Sequence, residues 1–224
     1  MLSFSNVKFL ASHLITIRNL SDEFIVVGFT GHIGVGKSYI AQQVSYLLTD
    51  EGYSVLFDSV ANPLKKLIQH CFYQTKHKID KSQDFSYVRF DMIKKLVPED
   101  LLCLVSNLEL GEYDWRQIAQ KIGQLSRDLY QEGIWIQLLL NRLKQYEHHT
   151  LDFVLITDIR YHNEHESLKS LFQDRYLLIK VQRDIQNILQ DLNLTEQEYE
   201  KMLEHESERM LEELQPDIVY QNLN

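Results

Sequence analysis

The chain has 224 residues, of which 44% are hydrophobic and 25% charged, and carries a formal net charge of −9. That length and balance fit a globular protein with a full core, while the negative charge opposes broad attraction to nucleic-acid backbones or an anionic membrane. Cys71 and Cys103 are the two cysteines and lack metal-type spacing, so neither a disulfide framework nor a zinc site is implied and a reducing, cytoplasmic compartment is expected.

Residues 1–23 read as an extension ahead of the domain. Phe9 to Ile17, flanked by Lys8 and Arg18, faintly resembles a targeting segment. Ser12 and His13 interrupt it and no small-residue cleavage pattern follows, which favours an N-terminal strand or a loose extension. No apolar run approaches the roughly 18 residues of a membrane span. Residues 24–224 are expected to form a single domain, because three prolines and eight glycines leave no obvious linker.

Phe24 to Phe29 is a β-branched apolar run followed by glycines, as expected of a strand buried on both faces. Ile40, Ala41, Val44, Leu47 and Leu48 then recur at helical spacing as far as Glu51-Gly52, where glycine suits a helix end. Ser54 to Phe57 reads as the second strand, and Pro63 opens a helix reaching Cys71. The polar stretch 74–112 is expected to hold helices at 87–96 and 99–107 as an insertion. Asp114 and Gln117 suggest the start of a helix whose Ile118, Ile122, Leu125 and Leu129 share a face, and another helix is expected over 134–146.

Strands are expected at 153–157 and 176–181 with a helix between them, and His148-His149 as a loop. Thr195 and Glu198 form a capping-box pattern opening an acidic helix that ends before Pro216, with a last strand at 217–220. Alternating strands and helices predict an α/β fold with a parallel sheet of about five strands, covered on both faces in three layers.

Between the first strand and its helix, Gly31-His32-Ile33-Gly34-Val35-Gly36-Lys37-Ser38 satisfies the G-x-x-x-x-G-K-[ST] pattern, in the context that pattern requires. Glycines let the backbone wrap a phosphate and aim N–H groups at it, and the following helix presents its positive end. Lys37 supplies a mobile charge for the β- and γ-phosphates of ATP, and Ser38 a hydroxyl for Mg2+; Tyr39 continues the stretch. The bland alternative is a glycine-rich turn without ligand. No Asn-Lys-x-Asp guanine-reading sequence is present, which disfavours a switch GTPase.

Asp158 and Arg160 follow the strand at 153–157, at the carboxyl edge where ligands bind in open α/β sheets. The aspartate suits Mg2+ and the arginine the transferring phosphoryl group; a surface Asp-Arg pair is the alternative. His162, Glu164, His165 and Glu166 allow metal ligation in principle, against a solvated helix start.

Gly31 to Ser38, Ser59-Val60-Ala61-Asn62-Pro63-Leu64-Lys65, Trp115-Arg116-Gln117 with Gly123 and Trp135, Thr157 to Arg160 with Asn163-Glu164, and His205-Glu206-Ser207-Glu208 followed by 217–222 occur in one order. In that order the chain resembles the phage-type deoxynucleoside monophosphate kinases from about residue 24 onward. The resemblance implies a P-loop kinase domain with acceptor and lid regions, ATP and Mg2+ as cofactors, and a nucleoside monophosphate as substrate. It implies no nucleic-acid or membrane partner, and leaves a homodimer open.

The same resemblance makes Ser59 and Lys65 acceptor-site residues, makes Arg116, Arg127 and Arg160 clamps on the monophosphate or the developing charge, and puts Arg183 in a lid-like segment. It also lifts His205, Glu206 and Glu208 from a solvated face to a lid or acceptor-side role. Arg127 reads equally well as part of a solvated helix face. Val60 and Asn62 replace the usual Phe and Asp, and Gln124-Leu125 stands where Thr and an acidic residue are usual. The glycine-rich stretch is also similar to dephospho-coenzyme A kinase, and Pro63-Leu64-Lys65 to animal phosphomevalonate kinase. A regulatory protein that binds ATP without transfer is the rival from another class.

Overall fold

The computed structural model describes residues 2–72, 115–129, 133–146 and 151–223. The helices expected at 87–96 and 99–107, the Asp114 cap and the His148-His149 loop lie outside them. The contacts divide the chain into two compact units, one of residues 1–59 and 146–224 and the other of residues 60–145.

The first unit is built on a six-stranded, all-parallel sheet: β1 (Leu2–Phe4), β2 (Ile25–Thr30), β3 (Val55–Asp58), β4 (Phe153–Ile156), β5 (Tyr176–Arg183) and β6 (Ile218–Asn222). Their order across the sheet is β1-β6-β5-β2-β4-β3, and every pairing is parallel. β2 and β4 are buried along their whole length, which is why they read as continuous apolar runs without alternation. Parallel pairing brings the carboxyl ends of all the strands to one edge. Continuing bonds fasten the strand exits together there: Thr157 N donates to Asp58 O at 3.1 Å and Ile159 N to Phe29 O at 3.1 Å.

The N-terminal segment corrects the expectation of an extension. Leu2, Ser3 and Phe4 pair with Ile218, Val219 and Tyr220, and α1 (Val7–Arg18) places Leu10, Ala11 and Leu14 in the core. These residues share one cluster with Ile40, Ala41, Val44 and Leu48 of α2 (Lys37–Asp50) and with Ile25, Val27 and Phe29 of β2. The apolar run 9–17 is therefore a helix with one buried stripe. Ser12 and His13, which break a strand-like run, stand outside that stripe.

The second unit contains α3 (Asn62–Phe72), α4 (Trp115–Leu129) and α5 (Ile134–Leu143), followed by a 3-10 turn, Lys144–Tyr146. α3 packs on both α4 and α5, and Leu67, Ile68, Ile122 and Leu139 are fully buried.

Back in the first unit, α6 (His162–Phe172) joins β4 to β5. α7 (Ile185–Leu192), α8 (Glu196–Leu203) and α9 (Glu206–Arg209) then lead through a 3-10 turn at Met210–Glu213 to β6. The Thr195/Glu198 capping box is present. The expected single helix up to Pro216 is instead broken at His205, whose ring takes the Ser207 N–H and starts α9 as a new N-cap. Among the described residues no helix is long and apolar enough to cross a membrane.

Because Leu14 is fully buried, Leu14→Ala is expected to cost about 2–5 kcal/mol of stability in urea unfolding. A loose extension would give a cost near zero.

Candidate functional site

The carbonyls of the loop between β2 and α2 are all engaged. Lys37 Nζ donates to Gly31 O and to His32 O, both at 2.7 Å. Tyr199 Oη donates to Ile33 O at 2.9 Å, and Arg183 Nη1 reaches Gly34 O at 3.4 Å. Asn222 Nδ2 donates to Val35 O at 3.0 Å, and Gly36 O accepts Ile40 N as the first bond of α2. From residue 31 to 36, each carbonyl is thus taken by a side chain or by the helix.

Gly36 is the N-cap of α2 and offers no side chain to its first-turn amides, which lack acceptors within the helix. Gly34 and Gly36 have φ of 83° and 88°, a region that strains residues with a Cβ. A Cβ on Gly34 would also lie 2.5 Å from Ile188 Cγ2, and one on Gly36 2.6 Å from Asn222 Nδ2. The loop therefore packs against α7 and β6 only as glycine. A glycine-rich turn, a helix N-terminus and a lysine together fit a polyphosphate.

Asp158 and Arg160 leave β4 beside this loop, since β4 pairs with β2. Ile159 is fully buried between them, and Glu164 takes the N–H groups of both Arg160, at 2.8 Å, and Tyr161, at 3.1 Å. Glu164 is thus neither a metal ligand nor a solvated residue: it is buried as the cap of α6. Burial pushes its carboxyl up to about 7, against the opposing pull of the Arg160 and Tyr161 amides. His165 is likewise buried, with Nδ1 3.2 Å from the Tyr176 hydroxyl.

Glu208 is the residue whose importance the sequence understated. Its side chain is fully buried, with Oε1 2.6 Å from Arg160 Nη1, and Oε2 accepts the Ile33 N–H of the loop at 3.0 Å. His32 stands between two carboxylates: Nδ1 is 3.4 Å from Glu208 and Nε2 is 2.9 Å from Glu212. The first distance is long for a hydrogen bond, so that attraction is mainly electrostatic. Burial acts to raise the Glu208 carboxyl, but His32, Arg160 and Lys37 outweigh it and bring it down to about 2. Glu208 in turn raises His32, an effect that desolvation reduces and Glu212 reinforces. The only signals in the sequence were the dense carboxylates of 204–213 and the position of Glu208 in the resemblance, and neither could pair it with Arg160, 48 residues away.

The remaining expected site residues are distributed as follows. Ser59 is buried just past β3, at the carboxyl edge. Arg183 closes β5 and pairs with Asp191 of α7 at 2.7 Å, so it belongs to a strand end and braces the loop; it is not in a lid-like excursion. Tyr39 is half exposed on α2. Lys65 lies on α3 and Arg116 and Arg127 on α4, in the second unit. Arg127 Nη2 donates to Gln124 Oε1 at 3.0 Å along its own helix. Beside Val35, a cleft of about 640 Å³ is lined by His32, Arg183, Ile188, Gln221 and Asn222 among others.

No protein-family model and no curated protein matches the chain. Among solved structures the chain is similar to the crystal structure of APE1195, with a TM-score of 0.37 and 15% identity over 89% of this chain and 86% of that one.

The shifted groups set a pH window. A raised His32 contributes stability that is fully present below its unfolded value, about 6.5, and is lost as pH rises through the folded value. A lowered Glu208 contributes stability present above the ordinary carboxylate range and lost as pH falls towards about 2. The stability gap between wild type and His32→Asn in urea unfolding is accordingly expected to narrow steadily above about pH 6.5. A gap independent of pH from 5 to 9 would count against a charged His32.

Proposed function

We propose that the chain is an ATP-dependent phosphotransferase whose acceptor is a nucleoside monophosphate, giving the diphosphate and ADP. The observation that carries this reading is the loop at 31–36, whose carbonyls are all engaged and which a lysine and a helix N-terminus adjoin. A polyphosphate on this turn would draw the Lys37 ammonium from the carbonyls of Gly31 and His32, and the helix N-terminus behind the turn favours its negative charge.

In this reading the triphosphate of ATP rests on the loop amides and Lys37, and the cleft beside Val35 and Asn222 has room for its nucleoside. Ser38 and Asp158 offer hard oxygen donors to Mg2+, which when bound would neutralise charge on the β- and γ-phosphates. Arg160 approaches from the end of β4 to balance charge on the group in transfer. The acceptor is already an ionised phosphate, so no strong general base is required and catalysis reduces to alignment and neutralisation.

The nucleoside monophosphate assignment draws on the stretch Ser59 to Lys65, which starts at the carboxyl end of β3, and on the arginines 116 and 127. In that assignment Lys65, Arg116 and Arg127 hold the acceptor phosphate.

Phosphorus NMR of the chain with ATP, Mg2+ and each common deoxynucleoside monophosphate is expected to show a new diphosphate pair with at least one acceptor. Lys37→Ala is expected to abolish transfer without unfolding the chain. Arg160→Ala should slow turnover at least about tenfold, or ~1.4 kcal/mol of barrier. Tight ATP binding with no phosphorylated product from any acceptor would replace this reading with a nucleotide-sensing protein, and wild-type transfer by Lys37→Ala would remove the P-loop from the mechanism.

A further inference from the structure

We propose that Glu208 is a positioning residue of the phosphoryl-transfer site, holding the Arg160 guanidinium against the first half of the P-loop. The inference rests on the phosphotransferase reading above and assigns a task to a segment, α9, that the reading does not otherwise use.

Glu208 belongs to neither of the strands that carry the site. It arrives from α9, and its two oxygens have separate partners: Oε1 meets Arg160 Nη1 at 2.6 Å, and Oε2 accepts Ile33 N at 3.0 Å. One carboxylate therefore spans the exit of β4 and the turn after β2. The same Arg160 nitrogen donates to Ser207 Oγ at 3.2 Å. That hydroxyl lies 2.8 Å from His205 Nδ1, the ring nitrogen that also caps α9. The arginine is thus held by two consecutive residues of a helical turn whose own start is pinned.

A fully buried carboxylate is costly unless charges and hydrogen bonds surround it. Here Arg160, His32 and the Ile33 amide do so, with Lys37 close enough to add to the pull. Arg160 and Lys37, with His32 when protonated, thus set positive charge around Glu208. Freed from Glu208, the arginine would regain rotamer freedom and lose its aim. The Ile33 amide is one contact among several in the turn, and its carbonyl remains fixed by Tyr199. Loss of Glu208 should therefore disturb transfer more than nucleotide binding.

The test is Glu208→Gln, which keeps the volume and removes the charge. It is expected to lower kcat at least about tenfold while the Kd for MgATP, measured by calorimetry, stays within about threefold, the pattern of an interaction needed in the transition state. Two signals independent of transfer accompany it in 15N NMR of the ligand-free protein. The Arg160 side-chain N–H resonances should broaden or shift towards those of free arginine, and the His32 ring should titrate at lower pH than in wild type, with Glu212 its remaining carboxylate.

Unchanged kcat together with unchanged Arg160 resonances would overturn the proposal, as would equal losses in kcat and MgATP affinity that track a fall in the folded fraction. If Glu208→Gln does not fold, Glu208→Asp, which keeps the charge but shortens its reach by one methylene, must show the same separation of kcat from Kd. If wild type transfers no phosphoryl group, the phosphotransferase reading fails by itself, and the NMR signals alone decide whether Glu208 holds Arg160.

Discussion

Lys37 bends back to take the carbonyls of Gly31 and His32, and the turn between β2 and α2 keeps its shape because its other carbonyls are taken as well. Backbone polar groups shut away from water must find partners, so these bonds fix the conformation of the turn. The donors come from far along the chain: Arg183 at the end of β5, Tyr199 on α8 and Asn222 at the end of β6. The long C-terminal excursion after β5 thus acts as an outer wall of the loop.

This wall depends on the strand order. β2 lies between β5 and β4, and β6 lies beside β5, so the exits of four adjacent parallel strands surround one turn. Two of them, β5 and β6, supply neutral or cationic donors to the carbonyls. β4 supplies Asp158 and Arg160 on the other flank. Glu208 joins the exit of β4 to the turn, and its burial is tolerable only because Arg160, His32 and Lys37 converge on it. The −9 net charge of the chain is consequently a poor guide to the site, where cations are matched to particular carboxylates: Arg160 to Glu208, Arg183 to Asp191 and Lys180 of β5 to Glu212.

Some of this was legible in the residues. The runs at 24–29 and 153–157 are central parallel strands because residues buried on both faces must all be apolar. The Gly-rich turn was legible because its backbone needs specific residue types at specific spacing, a local demand. Residues 1–23 were expected to hold an N-terminal strand or a loose extension: the strand is there as β1, while the apolar run 9–17, broken by Ser12 and His13, is ambiguous in period, and packing against α2 makes it a helix. The acidic stretch after Thr195 was read as one helix because composition does not reveal a mid-stretch N-cap at His205.

What the sequence by itself determined is a set of local patterns: a glycine-rich turn of the G-x-x-x-x-G-K-[ST] type between a strand and a helix, an Asp-x-Arg at a strand exit, and alternation that demands a parallel sheet. Each is written in neighbouring residues, where backbone conformation, spacing and burial pattern act over a few positions. Only the tertiary structure decided that the N-terminal residues complete the sheet, that Arg183 braces the turn, that Glu164 is a buried cap, and that Glu208 unites Arg160 with Ile33. The contacts of Arg183 and Glu208 with the turn join residues more than a hundred apart in the chain, and burial makes a carboxylate such as Glu164 or Glu208 untenable without its partners, a condition no local pattern expresses.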